Sequence, residues 1–196
     1  GLAIKPNDPH IEFGLGVALG RLGTTKGVLS SLRMAKEIET VWTHAANSDL
    51  RYSSIGQEEI VPCHTMLSLG VFYRLVPDSG IVQLLAGTRG DIDKSITWIE
   101  RAKTCAPGQV GILKELGAAY ACKSSMTKDS SWYDKAVVVW NEALIAPGAI
   151  VPNENSTLLP MTRPSAELTN TMSAGRVTII LTFVRLIWPW FLTSTR

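Results

Sequence analysis

"HTMLSLGVFYRL", residues 64–75, and "ILKELGAAYACK", residues 112–123, decide how this chain folds. Each carries Leu-Gly-x-x-Tyr: Leu69, Gly70 and Tyr73 in the first, and Leu116, Gly117 and Tyr120 in the second. Spacings of three and four put these residues on one side of a helix, and the glycine marks a place where a second helix can cross closely. One such motif is a weak signal. The segment after each copy recurs as well: aligning Pro107 with Pro147 to within one residue sets Ser95 on Ala136, Ile99 on Trp140 and Ala102 on Ala143. A fainter first copy reads Leu15-Gly16-x-x-Leu19, then Ile38, Trp42 and Ala45 before Asp49. Self-similarity of this kind is tested before anything else, because a missed repeat misreads the whole fold.

Outward from these stretches the same periodicity holds. Val28, Leu32, Ala35, Ile38, Trp42 and Ala45 form one apolar stripe and predict a long helix ending near Asn47-Ser48-Asp49. Ile92, Ser95, Ile96, Ile99 and Ala102 predict another, stopped by Pro107-Gly108. No stretch sustains the alternation of a half-buried strand, so the expected class is all-α.

A helix pair with Leu-Gly-x-x-Tyr on its first member, small-aromatic-small residues on its second and a closing proline resembles the tetratricopeptide (TPR) repeat. Relative to that family's ~34-residue unit, the loop inside each pair is enlarged, most of all in the second copy, "RLVPDSGIVQLLAGTRG", residues 74–90. The enlargement brings the chain closer to two atypical groups: the T component of bacterial tripartite (TRAP) transporters and the regulator-of-microtubule-dynamics proteins. The stretches that carry the likeness are "GLGVALGRLGTTKGVLSSLRMAKEIETVWTHAANSD", "HTMLSLGVFYRL" and "GDIDKSITWIERAKTCAPG", and it covers about residues 9 to 147. The resemblance implies an α-α superhelix of about three TPR-like pairs with enlarged intra-repeat loops. Its packing positions are Leu15, Gly16, Trp42, Ala45, Leu69, Gly70, Tyr73, Ile99, Ala102, Leu116, Gly117, Tyr120, Trp140 and Ala143.

Composition narrows the function classes. Lys+Arg of 19 against Asp+Glu of 17 leaves +2, which gives no electrostatic case for a nucleic-acid partner. Cys63, Cys105 and Cys122 lie far apart with no CxxC spacing, so they read as small core residues rather than a disulfide framework or zinc ribbon. His10, His44 and His64 are scattered, and no metal or cofactor site is expected. The opening "GLAIKPNDPHIEF" lacks a basic region followed by an apolar one, so no signal peptide is read there.

"LLAGTRGDIDKS", residues 84–95, offers sharper motifs that fail on inspection. A phosphate loop ending in Lys94-Ser95 needs glycines where Thr88 and Asp93 stand, and an acid there repels phosphate. Arg89-Gly90-Asp91 is explained as a turn and an N-cap, with Asp91 starting the helix 92–103 and Leu84-Leu85-Ala86 closing the enlarged loop against the body. Glu37, Glu39, Asp91, Asp93, Glu100 and Glu115 are expected on outward faces or caps, not as paired catalytic acids. Trp98 sits off its helix's apolar stripe and is a groove candidate.

After Pro147 the repeats end. Residues 1–150 are expected to form the helical repeat domain, 151–175 a polar linker and 176–196 an apolar C-terminal segment. Within the last, Val177–Leu192 is interrupted by Arg185 and Pro189 and is short for a span of ~20 apolar residues. Four readings stay open for it: a helix capping the last repeat, a membrane-surface anchor, a spanning segment, or an end foreign to the fold, such as an out-of-frame one.

No nucleophile, base and orienting group can be assembled from these residues, so an enzyme is not expected. The expected function is non-enzymatic: a scaffold or adaptor binding a protein or peptide partner on its concave helical surface, associated with a transport system. Tyr73, Arg74, Arg89 and Trp98 are its candidate surface residues. The alternative is a carrier of a small apolar ligand in a pocket between helices and enlarged loops. The resemblance implies a periplasmic or membrane-associated setting, and the apolar residues 177–192 themselves leave membrane contact as one reading of the C-terminal segment.

Overall fold

The computed structural model describes residues 1–26, 28–53 and 59–147. The expected linker 151–175 and the apolar segment 176–196 lie outside the described residues. The described chain is all-α apart from one short hairpin. In order it forms α1 (Pro9–Lys26), α2 (Val28–Ala46), β1 (Tyr52–Ser53), β2 (Glu59–Val61), α3 (Cys63–Leu75), α4 (Gly80–Ala86), α5 (Ile92–Cys105), α6 (Val110–Thr127) and α7 (Ser131–Ile145). The strands pair antiparallel, Tyr52 opposite Val61, and His10 of α1 stacks on Tyr52 with ring centroids 3.8 Å apart.

Three antiparallel pairs follow from contacts that run down one helix as they run up the other. In α1/α2, Ser31 Oγ donates to the Gly23 carbonyl at 2.6 Å, Gly16 lies under Trp42, and Glu12 meets His44. In α3/α5, the Asp91 amide donates to the Tyr73 carbonyl at 2.9 Å, Gly70 faces Ser95 and Ile99, and Cys63 is disulfide-bonded to Cys105. In α6/α7, Ser124 Oγ donates to the Asp129 carbonyl at 2.8 Å, Tyr120 packs on Trp132, and Gly117 lies under Trp140.

The glycines explain the pairing. A Cβ added at Gly16 or at Gly117 would fall 2.2 Å from the indole Nε1 of Trp42 or Trp140 respectively. Each indole N–H then donates at 3.2 Å to the carbonyl three residues before its glycine, Phe13 in α1 and Lys114 in α6. The two outer pairs thus repeat one joint. The middle pair has Ile99 at the indole's place, where a Cβ on Gly70 would come within 2.4 Å of Ile99 Cγ1.

One continuous apolar core joins the pairs, with Leu69, Ile99, Ile112, Leu113 and Leu116 fully enclosed. Each such side chain contributes about 1.5–3 kcal/mol through removal from water. All fourteen expected packing residues fall in buried or half-buried positions; Leu15 and Trp140 are the half-buried ones. Polar bonds stitch the seams between pairs. Tyr73 Oη of α3 donates to Glu39 of α2 at 2.6 Å, and Tyr120 Oη of α6 donates to Glu100 of α5 at 2.6 Å.

Three expectations need correction. Only the middle pair has an enlarged internal loop, since α1 ends at Lys26 with α2 starting at Val28, and α6 ends at Thr127 with α7 starting at Ser131. The cysteines are not all lone core residues: Cys63 opens α3 and Cys105 closes α5, and antiparallel pairing brings those ends together with Cα atoms 5.4 Å apart. Of Leu84-Leu85-Ala86 only Ala86 closes the enlarged loop against the body, because residues 80–86 form a helix that turns Val82 and Ala86 inward and leaves Leu84 and Leu85 exposed. Ser79 caps it, accepting from the Val82 amide, and Gly87 ends it in the left-handed conformation at φ 69°.

Candidate binding face

α3 and α6 lie side by side, and their adjoining faces form the most coherent candidate surface. His64 Nε2 meets Gln109 Oε1 at 2.8 Å at the start of both helices, and Arg74 pairs with Glu115 further along. On α3 the residues His64, Ser68, Val71 and Leu75 recur at helical spacing and are all half-buried. On α6 the matching stripe is Gly111, Glu115, Ala118 and Cys122, again half-buried throughout. Side chains neither enclosed by the core nor fully wet form a strip in which Val71, Leu75, Gly111, Ala118 and Cys122 lie between the polar His64 and Ser68 and one charged pair.

The charges on this strip are held in place. Arg74 and Glu115 are each largely withdrawn from water, and Lys114 reaches the second carboxylate oxygen of Glu115 at 3.8 Å. An ion pair in such a setting orients its partners strongly, since removing one leaves the other's charge poorly solvated. Burial pushes the Cys122 thiol pKa up, only partly opposed by the positive charge of Arg74, so the thiol on this strip is a weak nucleophile.

The expected surface residues do not converge on one spot. Arg74 lies on the strip. Tyr73 is buried and its hydroxyl is engaged by Glu39, so only its packing role fits its position. Trp98 is half-buried beneath the Arg101 guanidinium, 4.1 Å from the ring centroid, and Arg101 in turn donates to Asn47 at 2.9 Å. Arg89 is exposed in the segment before α5, 3.6 Å from Asp78.

The acidic residues are less uniformly outward than expected. Glu37 and Asp93 are exposed, and Asp91 caps α5 as expected, accepting from the amides of Asp93 and Lys94 at 3.0 Å. Glu39 is half-buried instead. Burial raises its pKa, but hydrogen bonds from Tyr73, Lys36 and Thr88 outweigh that and leave it below the usual carboxylate value. The Thr88 bond also ties the base of the α4 segment to α2.

A second exposed feature is α4 itself. Ile81, Leu84 and Leu85 are 73%, 84% and 55% exposed, an apolar edge at i, i+3, i+4 spacing on a helix too short for periodicity to reveal. Among the described residues no group of three or more His, Cys, Asp or Glu side chains is placed to hold a metal ion, and no helix is long and apolar enough to cross a membrane. Comparison of the chain with protein-family models, with curated proteins and with solved structures finds no match.

Proposed function

We propose that this chain is a tetratricopeptide-like repeat protein, its helix pairs wound into a short superhelix, that binds a protein or peptide partner without catalysing a reaction. The observation that carries the reading is the half-buried strip along α3 and α6, with the Arg74–Glu115 pair set in it. The apolar residues of the strip, Val71, Leu75, Gly111 and Ala118, accept the side chains of an extended or helical segment, and a fixed charge pair sets its register. The repeated glycine-under-indole joint of the outer pairs supports the repeat reading. The Cys63–Cys105 disulfide supports an oxidising compartment, in keeping with a periplasmic or membrane-associated partner in a transport system.

The test uses the whole chain against a displayed peptide library, with a photo-cross-linking side chain placed at Val71, at Ala118 or at Glu37 on α2. Cross-linking at 71 and 118 but not at 37 is expected, and Ala118→Arg should weaken binding about tenfold, ~1.4 kcal/mol. Equal labelling at Glu37 would count against the strip. A small apolar molecule found at one copy per chain by native mass spectrometry would replace the scaffold reading with that of a carrier.

A further inference from the structure

The disulfide that joins the middle helix pair is built unequally at its two sulfurs. Cys63 is the first residue of α3 and is wholly enclosed, so its sulfur sits at a helix N-terminus, where backbone amides and the helix dipole favour negative charge. Cys105 is the last residue of α5 and is half-buried, so its sulfur lies at the helix end that disfavours negative charge. Arg51, from the segment before β1, spans both: its Nη1 is 3.4 Å from Cys105 Sγ and 4.0 Å from Cys63 Sγ. A guanidinium within reach of both sulfurs, and nearer Cys105, stabilises a thiolate at either, so the direction of exchange rests on the exposure of Cys105 and on the start of α3 at Cys63.

We infer that this disulfide is a thiol-exchange site, attacked at Cys105 and leaving at Cys63, whose substrate is a small thiol or the dithiol of a reductant. An incoming thiolate bonds to Cys105 Sγ as the Cys63–Cys105 bond breaks, and the electron pair leaves on Cys63 as a thiolate held by Arg51 and the start of α3. A second thiol then attacks the incoming sulfur of the mixed disulfide and releases Cys105. Two external thiols are oxidised to one disulfide, and their protons finish on Cys63 and Cys105. Exchange rates rise with the stability of the leaving thiolate, which is why the asymmetry matters. Cys122 does not compete as an internal attacker, since it lies by Arg74 at the end of α3, whereas Cys63 stands at the beginning of that helix. The opened bond frees the ends of α3 and α5 beside the His64–Gln109 contact that aligns α3 with α6, so exchange also loosens one end of the strip proposed for binding.

The experiment treats the whole oxidised chain with reduced glutathione, quenches with an alkylating agent and maps the peptides. Glutathione on Cys105 with the alkyl group on Cys63 is expected; glutathione on Cys63, an even split, or no exchange at all would overturn the assignment. Arg51→Gln should slow formation of the mixed disulfide about tenfold, and Arg51→Lys should recover part of the rate, with circular dichroism checking that both variants are folded. An unchanged rate in a folded Arg51→Gln variant would remove Arg51 from the mechanism and with it the proposal. Neither readout depends on partner binding, so its failure is distinguishable from failure of the scaffold reading.

Discussion

Gly16 and Gly117 are held by the shape of what lies above them. In a helix interior alanine is better than glycine by about 1 kcal/mol, so replacement should stabilise wherever space allows. Gly14 and Gly20, on the same helix as Gly16, meet nothing within 4 Å of an added Cβ. At Gly16 and Gly117 the added carbon collides with a rigid indole whose N–H is also committed to a carbonyl, so the helices must part or the ring must turn. Overpacking of this kind costs about 1–3 kcal/mol, more than the propensity gain. Gly14→Ala should therefore raise the urea midpoint while Gly16→Ala and Gly117→Ala lower it; a rise at all three would mean that the joint yields without strain. Ser95, sealed beneath Gly70, differs in kind: its hydroxyl has no hydrogen-bond partner among the described residues. Ser95→Ala should then stabilise by about 1 kcal/mol, since an unsatisfied buried hydroxyl is lost, and destabilisation in the same measurement would show that the hydroxyl is partnered after all.

At the scale of elements, the α4 segment separates what anchors from what is displayed. Its base closes where Val76 and Gly90 meet, since a Cβ on Gly90 would fall 1.9 Å from the Val76 carbonyl oxygen, and Asp91 then caps α5. Asp91→Ala should cost about 1 kcal/mol in thermal or urea unfolding, whereas Leu84→Gln on the exposed edge should change stability by less than about 0.5 kcal/mol. A large loss at Leu84 would show that its face is covered. This segment also marks where the sequence stopped being informative. The Leu-Gly-x-x-Tyr copies and their small-large-small partners were legible because glycine under an aromatic is a pairwise requirement printed at fixed spacing in the chain. Asp91 was legible because its cap is local. α4 was not, because seven residues span barely two turns, too few for a period to emerge. The disulfide was not, because the positions of Cys63 and Cys105 acquire meaning only once α3 and α5 are known to be antiparallel. The α3/α6 strip was only half legible: Arg74 was named, but Tyr73, one position away, points into the seam instead, a rotation that the repeat motif alone does not fix.

Across the described molecule, the tyrosines of the two Leu-Gly-x-x-Tyr stretches join each helix pair to the one before it. Tyr73 and Tyr120 both have hydroxyl pKa values raised well above the ordinary value, first by burial and then by the hydrogen bond and negative charge of Glu39 and Glu100 respectively. In the unfolded chain these hydroxyls ionise near pH ~10, whereas in the fold they hold their protons to higher pH. Below that value both states bind the same protons and the seams contribute in full. Above it the unfolded state loses protons that the folded state keeps, so stability falls as pH rises. Each tyrosine can steepen the fall by up to about 1.4 kcal/mol per pH unit, and lysines titrating in the same range add their own slope. A comparison isolates the hydroxyls. The Tyr73→Phe, Tyr120→Phe double variant should be less stable than the parent at pH 8, by about 1.5–3 kcal/mol per lost bond to a carboxylate. Its stability should nonetheless fall more gently than the parent's between pH 9.5 and 11.5. Urea unfolding across that range, with tyrosinate absorbance followed in parallel, measures both. Equal slopes in the two proteins would show that the hydroxyls are not what couples the pairs, and the seams would then rest on apolar packing alone, chiefly the edge-on contact of Trp42 with Phe72 across α2 and α3 and the enclosed Ile112, Leu113 and Leu116 of α6.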